Sequence, residues 1–182
     1  MYNLAMKIII GLGNPGPEYA GTRHNAGMML VERLATSAAR SGDYGWRREK
    51  SIMVAKFENL ILVKTGGVFM NESGKMIHDL RFKNYELGDL YLAHDDLDIK
   101  LGEYKIQKGV GPKVHNGVQS VEQALGTKDF WRVRIGIESR RVEERESISG
   151  EQFVLQRFRT EEKEILESVL EKISNEIFKT IN

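Results

Sequence analysis

The sequence predicts an α/β protein, a three-layer α/β/α sandwich around a mixed, mostly parallel sheet. Three observations carry that prediction. Two short apolar runs, the β-branched Lys7–Leu12 and Leu90–Ala93, end directly in polar loops, as buried parallel strands do. Stretches with apolar residues at helical spacing lie between such runs. The two kinds of segment alternate along the chain, with no internal repeat or low-complexity linker to divide it.

Each element has its own signal. Lys7–Leu12 is a strand closed by the rigid loop Gly13-Asn14-Pro15-Gly16-Pro17. From His24 to Arg40, Leu30, Val31, Leu34, Ala35 and Ala38 mark one helical face, with Thr22 as its N-cap. Ile52–Phe57 and Leu60–Lys64 flank Glu58-Asn59 as a hairpin. A helix after Ser73 carries Met76, Ile77 and Leu80. Leu90–Ala93 is a strand running into His94-Asp95-Asp96, and Glu103–Gln107 is another. Val118, Val121 and Leu125 mark a helix after His115-Asn116-Gly117, and Arg132–Ile137 alternates basic and apolar residues like a half-buried strand. Arg141–Ser149 reads as an exposed connection. Thr160–Ile181 is an amphipathic helix with Ile165, Leu166, Val169, Leu170, Ile173 and Ile177 on one face; Glu161 and Glu162 at its start and Lys179 near its end suit the helix dipole. A single domain over residues 1–182 is expected.

Composition excludes several classes of function. The chain has no cysteine, which removes disulfides, thiol nucleophiles and zinc–thiolate sites. No apolar run approaches the ~20 residues of a membrane helix, and Met1–Met6 lacks the start of a signal peptide, so a cytoplasmic protein is expected. The net charge of +1 supplies no global field. A nucleic-acid partner would need basic groups gathered locally, and Lys105, Lys108, Lys113, Arg132, Arg134, Arg140 and Arg141 are the available set.

Five short motifs carry chemistry. Gly11-Leu12-Gly13-Asn14-Pro15-Gly16 satisfies the dinucleotide-binding spacing, but Pro15 and Pro17 bar the helix that would receive a pyrophosphate, and no acidic strand end follows about 20 residues on. In Tyr19-Ala20-Gly21-Thr22-Arg23-His24-Asn25, His24 falls in the first helical turn. The positive end of the dipole there favours a neutral imidazole, as a general base requires. Phe69-Met70-Asn71-Glu72-Ser73-Gly74 offers Asn71 to donate to a carbonyl oxygen or orient a water, against a plain turn capped by Ser73. His94-Asp95-Asp96-Leu97-Asp98 places carboxylates beyond a strand's carboxyl end. One can accept from His24 Nδ1–H, as a triad's acid does; alternatively the three hold Mg²⁺ or Mn²⁺, or Asp96 and Asp98 are solvated turn residues. Asn116, opening a helix, suits a substrate carbonyl or hydroxyl, against a simple N-cap.

These blocks together resemble the bacterial-type peptidyl-tRNA hydrolases in order and spacing: Asn14-Pro15-Gly16-x-x-Tyr19-x-x-Thr22-Arg23-His24-Asn25-x-Gly27, then Phe69-Met70-Asn71-x-Ser73-Gly74, Ala93-His94-Asp95-Asp96-Leu97-Asp98, His115-Asn116-Gly117 and Arg132-x-Arg134-Ile135-Gly136-Ile137. The resemblance implies a monomeric α/β/α enzyme, free of metal and other cofactors, that cleaves the ester between peptide and tRNA in peptidyl-tRNA dropped by stalled ribosomes. Position by position it implies His24 as the base that activates water, Asp95 as its orienter, and Asn71 for the water or oxyanion. It implies Asn14 and Asn116 on the peptide and ribose end, Tyr19 and Met70 lining the cleft, and Lys105, Lys108 and Arg134 facing tRNA.

The chain departs from the family pattern in places. Where a glycine-rich Gly-Gly-x-Gly-Gly-His-Asn-Gly loop is usual, it has Val110-Gly111-Pro112-Lys113-Val114-His115-Asn116-Gly117, a stiffer and bulkier wall. Gln107 stands where a second lysine is common, and Val68 replaces a hydroxyl residue. The competing readings are a non-catalytic RNA-binding relative and a metal-dependent hydrolase using Asp95, Asp96 and Asp98.

Overall fold

The computed structural model describes residues 6–39, 45–80 and 86–181. Arg40, the expected end of the first helix, and Met1–Ala5 lie outside them. Seven strands form one sheet in the order β2-β3-β4-β1-β5-β7-β6. β1 (Lys7–Gly11) pairs in parallel with β4 (Leu60–Thr65) and β5 (Leu90–Lys100), and β5 with β7 (Trp131–Glu138). The flanks are antiparallel: β2 (Arg47–Glu49) on β3 (Ile52–Lys56), β3 on β4, and β6 (Tyr104–Lys108) on β7. The sheet is therefore mixed with a parallel centre, as expected.

Side-chain alternation along the strands sorts the core into two layers. Ile9, Leu62, Ala93, Val133 and Ile135 pack under α1 (Ala26–Ala38) and α6 (Thr160–Ile181). Ile8, Ile10, Val63 and Leu92 pack under α2 (Gly74–Asp79) and α3 (Asn116–Leu125). α6 has the expected bounds and buries Leu166, Val169, Leu170, Ile173 and Ile177, while Ile165 turns outward.

Several expectations are corrected. β5 does not stop at Ala93 but runs through His94-Asp95-Asp96 to Lys100, because β7 stays paired alongside it and buried partners meet its charges. β7 is buried from Arg132 onward, not half-buried: Arg132 is neutralised by Glu122 at 2.5 Å and Arg134 by Asp96 at 2.7 Å. Arg141–Ser149 is exposed as expected but contains a helix, α4 (Val142–Ser147), followed by α5 (Gly150–Val154), which starts with a Ser149–Gln152 capping box. Thr22 does not cap α1; its hydroxyl donates to Tyr19 O at 2.8 Å. Ser73 does not cap α2 either, since its hydroxyl donates to Met70 O and Gly74 N–H donates to Ser120 of α3.

Candidate active site

The site lies beyond the end of β1, beside Asp95 in the middle of β5. α1 crosses β1 unusually closely: a Cβ on Gly27 would strike Ala93 O and lie 2.8 Å from Leu12 N, and one on Gly11 would strike Gly27 O. Gly11, the first glycine of the apparent nucleotide fingerprint, and Gly27 thus serve helix–sheet packing. Before α1, Arg23–Asn25 form a 3-10 turn. It is tied to the chain's far end by Arg23 N–H on Gln156 O (3.0 Å) and Phe158 N–H on Gly21 O (3.1 Å). The Arg23 guanidinium is buried against the Phe153 ring and donates to Gln156 O, Arg157 O and Glu162 (2.6 Å). His24 is held in place by its neighbour.

His24 Nδ1 donates to the Asp95 carboxylate, 2.9 Å from one oxygen and 3.1 Å from the other. Burial alone would lower the His24 imidazole, but the charge and hydrogen bond of Asp95 outweigh it and hold its pKa above the ordinary histidine value. The dipole argument for a neutral His24 is therefore overridden by the carboxylate. Asp95 is 2 % exposed. Burial would raise its pKa, and the imidazoles of His24 and His115 hold it well below the carboxylate range instead. His115 Nε2 lies 3.0 Å from the same Asp95 oxygen that is nearest His24. His94, fully buried, donates Nδ1–H to the Asp95 carbonyl at 2.7 Å; burial, helped by His115, depresses its pKa to about 3, so it stays neutral.

The loop after β1 is locked to α1 and to the turn at Met70. Asn14 N–H donates to Asn25 Oδ1 (2.8 Å), Asn25 Nδ2 donates back to Asn14 O (3.0 Å), and Met70 N–H donates to Asn14 Oδ1 (2.8 Å). Met70 is buried with its sulfur against Gly117, and Asn71 beside it is exposed. Tyr19 packs edge-on against Phe69, with ring centroids 6.1 Å apart. A cavity of about 370 Å³ is lined by His24, Asp95, Asn116, Leu97, Val114 and Glu151, among others. His24, Asp95 and Asn116 thus share one cavity. Asn14, Met70 and, through Phe69, Tyr19 belong to the adjoining pair of loops.

Residues 8–182 match the family described as peptidyl-tRNA hydrolase. The chain belongs to that family. A peptidyl-tRNA hydrolase of Citrifermentans bemidjiense is 39 % identical over 92 % of this chain and 87 % of its own length, and that of Geotalea daltonii is 43 % identical over 74 % and 71 %. Among solved structures, a peptidyl-tRNA hydrolase from Acinetobacter baumannii superposes with TM-score 0.80 at 26 % identity, covering 100 % of this chain and 95 % of its own. A peptidyl-tRNA hydrolase crystallised with N-propanol gives 0.82 at 27 % identity, with coverages of 97 % and 88 %.

Against this family setting, the three carboxylates of residues 95–98 do not act together. Asp96 is neither a solvated turn residue nor a partner of Asp95, because it is buried and bound to Arg134 Nε at 2.7 Å. Asp98 is exposed and accepts Lys113 N–H at 2.9 Å. Among the described residues, the His and acidic groups close enough to share a metal ion are His24, Asp95 and His115. Their hydrogen bonds already occupy that space. His115 Nδ1 accepts Val118 N–H at 3.2 Å, so the proton of its ring sits on Nε2, facing Asp95; a cation there would force that proton onto Nδ1, against the amide.

Of the expected RNA-facing residues, Lys105 and Lys108 are exposed, Lys108 pairing with Asp129 at 3.1 Å. Arg134 is 7 % exposed and committed to Asp96 and to Gln107 Oε1 (3.0 Å). Residue-by-residue reading missed two functional groups. His115 was visible only as the start of His115-Asn116-Gly117, and it, not Asn116, is the N-cap of α3. Arg23 was visible only as the neighbour of His24.

No helix among the described residues is long and apolar enough to cross a membrane.

Proposed function

We propose that this chain hydrolyses the ester joining a peptide to the ribose of tRNA, with His24 as general base. The observation that carries the reading is the Asp95-bound His24 at the wall of a cavity wide enough for an acyl–ribose junction. With Nδ1–H held by Asp95, the lone pair of a neutral His24 is on Nε2. There it takes a proton from water as the oxygen attacks the ester carbonyl carbon. The tetrahedral intermediate collapses as the ribose oxygen leaves with the proton now on His24, which regenerates the base. Asp95 stabilises the imidazolium between the two steps.

The amides supply orientation. Asn71, exposed at the tip of its turn, donates to the developing oxyanion or aligns the water. Asn116, in the cavity wall, binds the ribose end. Asn14 sits at the peptide side, its Oδ1 held by Met70 N–H so that its amide nitrogen is free to donate; Tyr19 and Met70 hold the loops around it. Lys105 and Lys108 are the exposed cations for tRNA phosphates, and Arg134 supports them through Gln107 and Asp96.

The test is release of tRNA from N-acyl-aminoacyl-tRNA in the presence of EDTA, with His24→Ala alongside. Turnover that survives chelation and collapses in the variant, with RNA binding retained, is the expected result. Activity lost to EDTA and restored by Mg²⁺, or near-normal turnover in His24→Ala, would overturn the reading.

A further inference from the structure

Asp95 is shared. Its nearer oxygen to His24, at 2.9 Å, also receives His115 Nε2–H at 3.0 Å, and the two rings stand 5.0 Å apart. The His115 donor is fixed from behind: its Nδ1 accepts Val118 N–H as the cap of α3, which leaves Nε2 to carry the proton. The one anion buried beside the base is therefore held between two imidazoles from different elements, one of them anchored by a helix terminus.

We propose that His115 is a positioning residue that tempers the base by drawing off part of Asp95's charge. An unshared, dry carboxylate would stabilise imidazolium on His24 so strongly that little neutral base would remain at neutral pH. The second N–H on the same oxygen divides that pull and also fixes the carboxylate plane for His24 Nδ1. Among the described residues no other charged group around the pair does this. His94 donates to the Asp95 carbonyl and packs edge-on against the His115 ring, centroids 5.1 Å apart, without reaching the carboxylate; Asp96 is bound to Arg134; Arg23 faces Glu162; Glu151 lines the cavity without a bond to either ring. The inference rests on His24 as base for its consequence in catalysis, but not for its test.

The variants are His115→Asn and His115→Ser. Both side chains are good N-caps and can keep the bond to Val118 N–H, and neither reaches Asp95 with an imidazole N–H. The direct measurement is ¹⁵N NMR titration of the His24 ring in the free protein. Loss of a hydrogen bond to a charged group is expected to move the His24 titration to higher pH in both variants. In acidic buffer the neutral fraction then falls about tenfold, and the acid limb of kcat/KM moves with it. An unmoved His24 titration in variants that melt like the parent overturns the proposal, as does a loss of stability with no change in the titration. A shifted titration with unaltered turnover supports His115's role and instead removes His24 as the base, so the two failures are distinguishable.

Discussion

Replacing Asp95 with asparagine keeps the side chain's shape and removes both its charge and one of its acceptors. The carboxylate accepts from His24 Nδ1 at 2.9 Å and from His115 Nε2 at 3.0 Å. A carboxamide with its oxygen toward His115 puts a donor nitrogen at the position 3.1 Å from His24 Nδ1, where the carboxylate offered a second acceptor. His115 cannot yield, because Val118 N–H fixes its tautomer, and it keeps the amide oxygen. The amide nitrogen then lies beside His24 and favours the tautomer in which Nδ1 accepts and the proton sits on Nε2, the atom that has to take a proton from water. Both general-base catalysis and stabilisation of the imidazolium are lost, a fall in kcat of about 10²–10⁴-fold. Asp95 lies beneath His24 and is 2 % exposed, so KM should change little. Initial rates of tRNA release, measured across mildly acidic to mildly alkaline pH, separate these effects. The acid limb should also move to lower pH, because burial then acts on His24 without the opposing charge. A kcat within about threefold of the parent, or an effect confined to KM, would refute the tautomer argument.

Two further outcomes follow from the supports of the site. Glu162→Gln takes the charge from the carboxylate that binds Arg23 (2.6 Å) and Arg159 N–H (2.7 Å), and should cost about 3 kcal/mol at neutral pH, a fall of about 6–12 °C in melting temperature. Burial would raise the Glu162 pKa, but hydrogen bonds from Ser139 and Arg159 and the charge of Arg23 bring it from 4.5 to about 2. A depressed acid stabilises the fold above its unfolded pKa, so the gap between parent and variant should be full above pH 4.5 and close as pH falls toward 2; a gap that does not vary with pH would refute the assignment. Gly27→Ala drives a methyl into Ala93 O and should destabilise by about 1–3 kcal/mol while lowering turnover, because α1 carries His24 away from Asp95; a variant that melts like the parent would refute the close-packing role.

The sequence made much of the sheet legible, because its strands carry periodic apolar signals: β1, the β3–β4 hairpin and α6 stand where spacing places them. What it hid were elements whose stability comes from partners distant in sequence. β2 is three exposed charged residues with no apolar signal, held at the sheet edge by its pairing with β3. β5 continues through three titratable residues because Arg134, His24 and His115 meet their charges. The caps misled in the same way: Thr22, Ser73 and Asn116 had the right composition, yet both hydroxyls turn back to nearby carbonyls and a histidine caps α3. His24 was legible where a helix starts and the carboxylates of residues 95–98 where an apolar run turns polar, and the family resemblance singled out Asp95 among them; the third member, the N-cap of α3, required the fold.

The wall at residues 110–114, where the chain leaves the glycine-rich pattern, bears on how much of the site that departure reaches. Asp98 accepts Lys113 N–H at 2.9 Å and lies 3.8 Å from its Nζ, so the segment is pinned to the end of β5, the strand that carries Asp95. Gly111 remains where space is scarce: a Cβ there would press to 3.3 Å from Arg132 Nε. The bulk goes outward instead, with Val114 84 % exposed at the rim of the cavity. Immediately afterwards His115 caps α3 and holds Asp95, and Asn116 lines the cavity. Proline, lysine and valine therefore alter the mouth through which substrate passes, and leave the hydrogen bonds of the base as they are. A change in the mouth acts on binding and release, whereas a change in the imidazole pair acts on the chemical step. The differences at residues 110–114 fall on the first of these and spare the second.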